Sequence, residues 1–336
     1  MKKLLGLILI ISCITSTIYS NSTEQYFSAG NAKYDSGNYA GAILDFNKLI
    51  QLNPKDAIAF NNRGNAKCVL GDYAGAILDY NKSIALNPKD DNTYYNCGSA
   101  KINLGDYAGA ILDFNKSIEL NPKFADTYIN RGAAKDYMGE YASAIRDYNK
   151  AIVLDPMLSP AYFVRANDRS KLADYTGAIQ DLNKAIELNP KLAFVYGIRG
   201  YYKSILGNNR DAIKDLNTAI ELNPKLAEAY CNRGNIKVNL GDREGAIQDF
   251  NKAIELNPRD AMALNNRGNT KVKLGNNAGA IVDLNKAIEL DSKLAGAYYN
   301  RSVAKAHVGD TKGSREDLNK AEQLGYEKLN KTMGSR

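Results

Sequence analysis

A 34-residue repeat runs through almost the whole chain and constrains its fold more than any other feature. The stretch NNRGNAKCVLGDYAGAILDYNKSIALNP at residues 61–88 returns as NNRGNTKVKLGNNAGAIVDLNKAIELDS at residues 265–292. Self-similarity at a short fixed period is typical of repeat architectures, in which each unit packs mainly against its neighbours. The period predicts nine copies and a short tail at 329–336; the copies occupy residues 23–56, 57–90, 91–124, 125–158, 159–192, 193–226, 227–260, 261–294 and 295–328.

Each copy predicts two helices, as the copy at residues 57–90 illustrates. Residues 57–70 place apolar and small side chains at helical spacing, and residues 73–86 form a second amphipathic pattern. Gly71 can take the positive φ that ends a helix, and Pro88 stops the second helix because it lacks an N–H. The predicted fold class is therefore all-α, built from helix-turn-helix units.

Small residues and large aromatic or aliphatic residues recur at fixed positions of the copies. The first-helix small residue is Gly30, Gly64, Gly98, Gly132, Gly200, Gly234 and Gly268, and the second-helix small residue is an alanine, as at Ala76. These columns resemble the tetratricopeptide repeat (TPR) over essentially the whole chain after the N-terminal segment. The resemblance implies a right-handed superhelical α-solenoid of nine repeats, with the first helices lining a concave groove. Ala166 and Ser302 replace the glycine, which makes the fifth copy the least regular internal one.

A basic pair flanks the glycine of most copies, and an aspartate stands in every second helix. Arg63 and Lys67 share a helix face with the glycine between them, and Asp79 lies at the edge of the packing face of the next helix. The pattern predicts an ion-pair ladder that joins the two helices of each copy. The alternative is a basic ladder for phosphate groups.

The opposite face of the first helix carries asparagines in two columns. An asparagine amide donates and accepts together, which matches the N–H and C=O groups of an extended peptide. The columns resemble the asparagine ladder in the repeat groove of O-linked N-acetylglucosamine transferases, although no transferase domain is present. The ladder predicts a peptide-binding groove, or else only a hydrated surface; its residues are Asn62, Asn65, Asn96, Asn130, Asn232, Asn235, Asn266, Asn269 and Asn300.

The asparagine ladder breaks in the fifth and sixth copies. Apolar residues take its place there and predict a central patch that receives one or two apolar side chains of the ligand; they are Phe163, Val164, Phe194, Ile198 and Tyr201. The alternative is that these copies pack more tightly or have drifted. No lysine or arginine stands in the two columns where TPR proteins clamp a terminal carboxylate, so that mode is not expected.

The sequence offers little for catalysis. His307 is the single histidine, and no CxxC, HExxH or Walker-type motif is present, so we expect no enzyme, no cofactor and no metal site. Cys68, Cys97 and Cys231 stand at three different positions of the repeat and are predicted to be free thiols. Positive and negative residues alternate along the second helices, which predicts a solvated face and no nucleic-acid partner despite the net charge of +7.

The N-terminal stretch MKKLLGLILIISCITSTIYS has the features of a bacterial secretory signal peptide at residues 1–20. A lipoprotein signal at residues 1–12, with lipidation of Cys13, is the alternative, and only that form predicts a membrane anchor. The sequence thus predicts an exported, monomeric scaffold of the periplasm or cell envelope that binds a protein or peptide. The alternative function is a structural assembly or tethering factor of an envelope complex that acts through the solenoid ends or the convex face.

Overall fold

The computed structural model describes residues 22–326, which form helices joined by short turns. The predicted signal peptide at residues 1–20, with Cys13, and the tail at 329–336 lie outside the described residues. Among the described residues, no helix combines the length and the apolar character needed to cross a bilayer. The all-α fold class predicted from the repeat is confirmed.

The helices occur in consecutive pairs, one pair to each copy. The first helices of the pairs are α1 (22–35), α3 (Ala57–Val69), α5 (Asp91–Asn103), α7 (Ala125–Tyr137), α9 (Ser159–Lys171), α11 (Ala193–Ile205), α13 (Ala227–Asn239), α15 (Ala261–Lys273) and α17 (Ala295–His307). The second helices are α2 (Tyr39–Leu52), α4 (Tyr73–Leu86), α6 (Tyr107–Leu120), α8 (Tyr141–Leu154), α10 (Tyr175–Leu188), α12 (Asn209–Leu222), α14 (Arg243–Leu256), α16 (Asn277–Leu290) and α18 (Thr311–Gln323).

Local sequence explains where the helices begin and end. Gly71 has a φ of +82° and ends the first helix of its copy, as predicted. The side chain of Asp72 then caps α4 by accepting a hydrogen bond from the N–H of Gly75 at 2.9 Å. At the other end of α4, the N–H of Asn87 donates to the carbonyl of Ser83 before Pro88 interrupts the helix.

The small residue of the first helix permits close approach of the two helices in a pair. A Cβ at Gly64 would lie 2.7 Å from Cε1 of Tyr80, a separation that the packed core does not allow. Tyr80 is fully buried, as are the side chains at the same position of the other second helices from α2 to α16, whereas Leu318 in the last helix, α18, is 38% exposed. These buried residues are the centre of the core; they are Phe46, Tyr80, Phe114 and Tyr148 up to residue 172, and Leu182, Leu216, Phe250 and Leu284 after it.

The chain divides into two compact units within the fifth copy, between Leu172 and Ala173. Unit 1 contains α1–α9 and unit 2 contains α10–α18. Ala173 stands where the other copies have the turn glycine, and it has a φ of 61°. It is the one non-glycine residue with a positive φ among the described residues. The irregularity that the sequence predicts for the fifth copy is thus matched by an irregular turn.

Candidate binding groove

Arginine side chains connect three helices in most copies of the array, as Arg63 of α3 shows. Its Nε and Nη2 donate to the two carboxylate oxygens of Asp79 on α4, at 2.8 and 2.5 Å. Its Nη1 donates to Asn47 Oδ1 on the preceding helix α2 at 2.7 Å. Lys67 completes the group, with Nζ 2.7 Å from Asp79. The predicted ion-pair ladder is confirmed, and the same bidentate contact forms at Arg131, Arg199, Arg233, Arg267 and Arg301.

Within this ladder, the arginine and lysine side chains find their hydrogen-bonding and charge partners inside the fold. The Arg63 side chain is mostly buried, and its guanidinium lies over the ring of Phe60, 5.4 Å from the centroid. A guanidinium that already holds a carboxylate and an aromatic ring has few donors left for a phosphate group. The geometry therefore opposes a phosphate-binding ladder and leaves the other face of the first helices for recognition.

The asparagine ladder on that other face is partly bonded to itself. Asn62 Nδ2 donates to Asn31 Oδ1 of the preceding copy at 3.0 Å, and Asn266 repeats the bond to Asn235 at the same distance. Further bonds between successive copies run from Asn96 to Asn61, from Asn130 to Tyr95 and from Asn300 to Asn265. A carboxamide can form up to four hydrogen bonds. The ladder thus links neighbouring repeats and keeps part of its bonding capacity for water or a ligand.

Unit 1 contains a concavity of about 530 Å³ on the ladder face. Three predicted residues, Asn65, Asn96 and Asn130, line it together with tyrosines. One of these tyrosines, Tyr80, donates its hydroxyl proton to Asn65 Oδ1 at 2.8 Å. None of the described residues that line this concavity is charged.

Unit 2 contains a second concavity, of about 440 Å³, between the first helices α11, α13 and α15. Six residues that the sequence assigns to the groove meet here; they are Phe194, Ile198, Tyr201, Asn232, Asn235 and Asn266. Phe194 and Tyr201 remain 42% and 46% exposed, so large apolar surfaces face the opening. The structure brings the apolar part and the asparagine part of the predicted site into contact within this unit.

Other predicted residues lie outside both concavities. Asn62, Asn269 and Asn300 are half-buried on their helices and line neither one. Phe163 and Val164 belong to α9 in unit 1 and are half-buried, whereas the other three residues of the predicted central patch belong to unit 2.

Sequence reasoning missed several lining residues of the second concavity. Leu226 and Met262 add apolar surface to it, and Glu228 and Asp260 add negative charge. Met262 and Glu228 occupy the same position of successive copies, on the face that carries the ladder. That shared position was the signal that could have identified them.

Chemistry-bearing side chains do not gather elsewhere in the described part of the chain. His307 lies in the last turn of α17, with Nδ1 3.2 Å from Asn277 Oδ1. Between residues 22 and 326, no group of three or more histidine, cysteine, aspartate or glutamate side chains could hold a metal ion. Cys68, Cys97 and Cys231 are free thiols, as predicted.

Comparisons with known proteins agree with the repeat. Family models described as "Tetratricopeptide repeat" match residues 91–124, 125–158, 159–192, 227–260 and 250–282. Models described as "TPR repeat" match residues 30–68, 64–105, 205–241 and 268–309. None of the curated proteins has a sequence that matches the chain.

Several solved structures are similar to this chain. A tetratricopeptide repeat protein from Parabacteroides merdae is 20% identical, with a TM-score of 0.55 over 74% of this chain and 99% of that one. The C-terminal part of a TPR repeat-containing protein from Cytophaga hutchinsonii is 19% identical, with a TM-score of 0.61 over 71% and 98%. A MamA protein is 27% identical, with a TM-score of 0.48 over 51% and 94%. The first two similarities support the fold.

Proposed function

Because the chain belongs to the tetratricopeptide repeat family, we propose that it is a non-enzymatic protein-interaction scaffold that binds an extended partner segment along its first helices. One observation carries the proposal: Phe194, Ile198 and Tyr201 line a single concavity with three asparagines of the ladder. Exposed apolar surface of this kind commonly marks a binding site. The partner is a protein or peptide, and no cofactor takes part.

The two kinds of side chain have different roles in this proposal. Asn96 and Asn130 each use Nδ2 toward the preceding copy, and their carboxamide oxygens are available to accept from a ligand backbone N–H. Phe194 and Tyr201 offer broad apolar surfaces that a ligand side chain can cover, and buried aromatic anchors commonly dominate such interfaces. The ladder therefore contributes affinity for any extended backbone, and the concavity of unit 2 contributes selectivity.

The proposed location is the periplasm or cell envelope. It rests on the signal-peptide pattern of residues 1–20, with lipidation at Cys13 as the alternative. Mass spectrometry of the mature N-terminus distinguishes the two forms: Asn21 as first residue supports simple cleavage, and a diacylated Cys13 supports the lipoprotein. An unprocessed Met1 in the cytoplasm contradicts both.

The groove is tested with a displayed library of random short peptides, panned against the purified chain. Tyr201→Ala and Phe194→Ala should each weaken the selected peptides by about tenfold or more, because truncation of a hot-spot side chain costs about 2 kcal/mol. The double variant Asn96→Ala, Asn235→Ala should weaken peptides of different sequence alike.

Val282→Ala is the matched control, since Val282 is 67% exposed on a second helix and lies outside the groove. The Val282→Ala variant should bind the selected peptides with the affinity of the wild type. The unfolding curves of all variants, followed by helical content, should equal that of the wild type. If the groove variants bind as tightly as the wild type while changes on the second helices abolish binding, the proposed groove is wrong.

The second candidate function, assembly through the outer surface, is favoured by one observation. Leu44, Leu78 and Leu112 occupy the same position of α2, α4 and α6 and are 65%, 71% and 69% exposed. The sequence predicts a solvated face there, and ion pairs such as Lys116 with Glu119 do cover part of it. The three leucines, named here the leucine stripe, give that face an apolar surface that could contact another protein.

A further inference from the structure

We propose that the concavity of unit 2 selects a partner segment in which a large apolar side chain is flanked by lysine or arginine. This inference rests on the proposed function and specifies the chemistry of the partner. It depends on two independent features of the concavity: the space left at Gly197 and the charge of its lining.

Gly197 creates room that helix packing does not require. Other copies carry a side chain at this position, as Tyr95, Phe163 and Tyr299 do. A Cβ at Gly197 would meet Leu226 Cδ2 at 3.6 Å, an ordinary contact, whereas a Cβ at Gly64 would meet Tyr80 at 2.7 Å. A glycine inside a helix lowers its stability. Since no close approach explains Gly197, the missing side chain is best explained by the space that it opens beside Phe194 and Tyr201.

The lining of this space is acidic although the chain as a whole is basic. Glu228 and Asp260 line the concavity, and its described lining contains no lysine or arginine, against a net charge of +7 for the chain. Asp260 also caps α15 by accepting from the N–H of Ala263 at 3.0 Å, which occupies one carboxylate oxygen. Within residues 22–326, neither carboxylate forms an ion pair with a basic side chain.

The negative charges of Glu228 and Asp260 act on a thiol that lines the concavity. Burial raises the pKa of the Cys231 thiol to about 12, and the carboxylates of Asp260 and Glu228 raise it as well. An apolar space with two carboxylates at its edge that form no ion pair within residues 22–326 is complementary to an apolar side chain with neighbouring cations. A segment with acidic flanks would meet like charges and be rejected.

The concavity of unit 1 provides an internal comparison. Its described lining contains asparagines and tyrosines such as Asn96 and Tyr95, but no acidic residue, no basic residue and no glycine. We therefore expect selection for charge at the concavity of unit 2 and none at the concavity of unit 1.

The experiment uses the same displayed library of random short peptides, with the full chain as bait. The wild type should enrich peptides that place Lys or Arg beside Phe, Leu or Met. The double variant Glu228→Gln, Asp260→Asn should lose this basic enrichment, and synthetic copies of the selected peptides should bind it about tenfold more weakly at low salt. Asparagine preserves the cap of α15, so the fold of this variant is retained.

A matched control neutralises two acids at equivalent helix starts in unit 1. Asp56 caps α3 as Asp260 caps α15, and Asp126 lies in the first turn of α7 as Glu228 lies in that of α13. The variant Asp56→Asn, Asp126→Asn should keep the basic enrichment. Gly197→Tyr should abolish binding of the selected peptides while unfolding at the same or a higher denaturant concentration.

The outcomes separate this inference from the proposed function. Peptides whose binding is lost in Gly197→Tyr but which show no basic enrichment would overturn the inference and leave the groove intact. If no peptide loses affinity when Gly197, Phe194 or the asparagines are changed, the proposed function is wrong as well. Binding that is seen only after removal of residues 327–336 would assign the space to the chain's own segment and overturn an external partner.

Discussion

Arg63 holds the carboxylate of Asp79 by two parallel hydrogen bonds and also reaches Asn47 of the preceding copy. One side chain therefore links α2, α3 and α4, and it joins neighbouring repeats as well as the two helices of its own repeat. In an array whose repeats contact mainly their neighbours, such a link affects the coupling between repeats.

Removal of one member of this group should be strongly destabilising. Arg63→Met leaves the buried Asp79 with Lys67 alone, and loss of one partner of a buried ion pair costs about 3–5 kcal/mol. Urea unfolding and amide hydrogen exchange of α3 and α4 measure the effect. Arg259→Met, at an exposed position, is the control. Equal stability of the two variants would show that the ladder is not a structural element.

Cys97 occupies the position of the arginine in the third copy, and the ladder is incomplete there. Asp113 forms an ion pair with Lys101, 2.8 Å away, but has no arginine partner at this position, and Cys97 Sγ lies 4.0 Å from Asn81 Oδ1. Cys97→Arg should restore the missing contacts and stabilise the chain by about 1.5–3 kcal/mol, the usual range for hydrogen bonds to charged groups. Thermal unfolding measures the gain, with Cys97→Ser as the control. A lower midpoint for the arginine variant would contradict this prediction.

Asp168 should make stability depend on pH in an unusual direction. Burial raises the pKa of its carboxyl to about 6, and the nearby Asp136 raises it too, with Lys171 opposing. Because this value lies above the unfolded value of about 3.9, the stabilising contribution is complete below about pH 4 and is lost as the pH rises through about 6.

Asp168→Asn should therefore flatten the fall in stability between about pH 4 and pH 7, as measured by urea unfolding. Asp317→Asn is a useful contrast. Burial raises the pKa of Asp317, but hydrogen bonds from Arg301 and Lys305 outweigh burial and lower it, so its contribution is lost as the pH falls. If Asp168→Asn leaves the pH profile of the wild type unchanged, its carboxyl is not perturbed.

Replacing Ala173 by glycine, the residue that the other copies have at this turn, should stabilise the chain. A non-glycine residue in the left-handed region costs roughly 1–2 kcal/mol, and Ala173 has a φ of 61°. Ala173→Gly should stabilise the chain by about 1 kcal/mol in chemical unfolding. Gly207→Ala, at the same position of the next copy with a φ of +79°, should destabilise it by a similar amount. If both substitutions raise the free energy of unfolding, or both lower it, the positive φ at this turn is not what favours glycine.

The leucine stripe makes the second candidate function testable. If the chain assembles through it, light scattering will report a mass that rises with concentration, and Leu44→Glu, Leu78→Glu, Leu112→Glu together will restore the monomer. Val282→Glu is the control, because Val282 occupies the same repeat position in α16. If the wild type is monomeric at all concentrations, self-assembly through the leucine stripe is excluded, and the result agrees with the groove proposal.

The helices and their ends were predictable from the sequence because their causes are local. The apolar spacing of residues 73–86, the positive φ available to Gly71 and the missing N–H of Pro88 each act within one turn of the chain. The pairing of Arg63 with Asp79 was also predictable, since the period fixes both positions and the close packing at Gly64 brings their helices together.

The concavity of unit 2 was decided only by tertiary structure. Phe194, Leu226 and Met262 belong to three separate parts of the sequence, and they meet because α11, α13 and α15 lie side by side. The spacing between neighbouring helices depends on the volumes of side chains that are far apart in sequence, and no local pattern records it. For the same reason, the sequence could present Asn62 as a free ladder amide, whereas packing against the preceding copy brings it within 3.0 Å of Asn31.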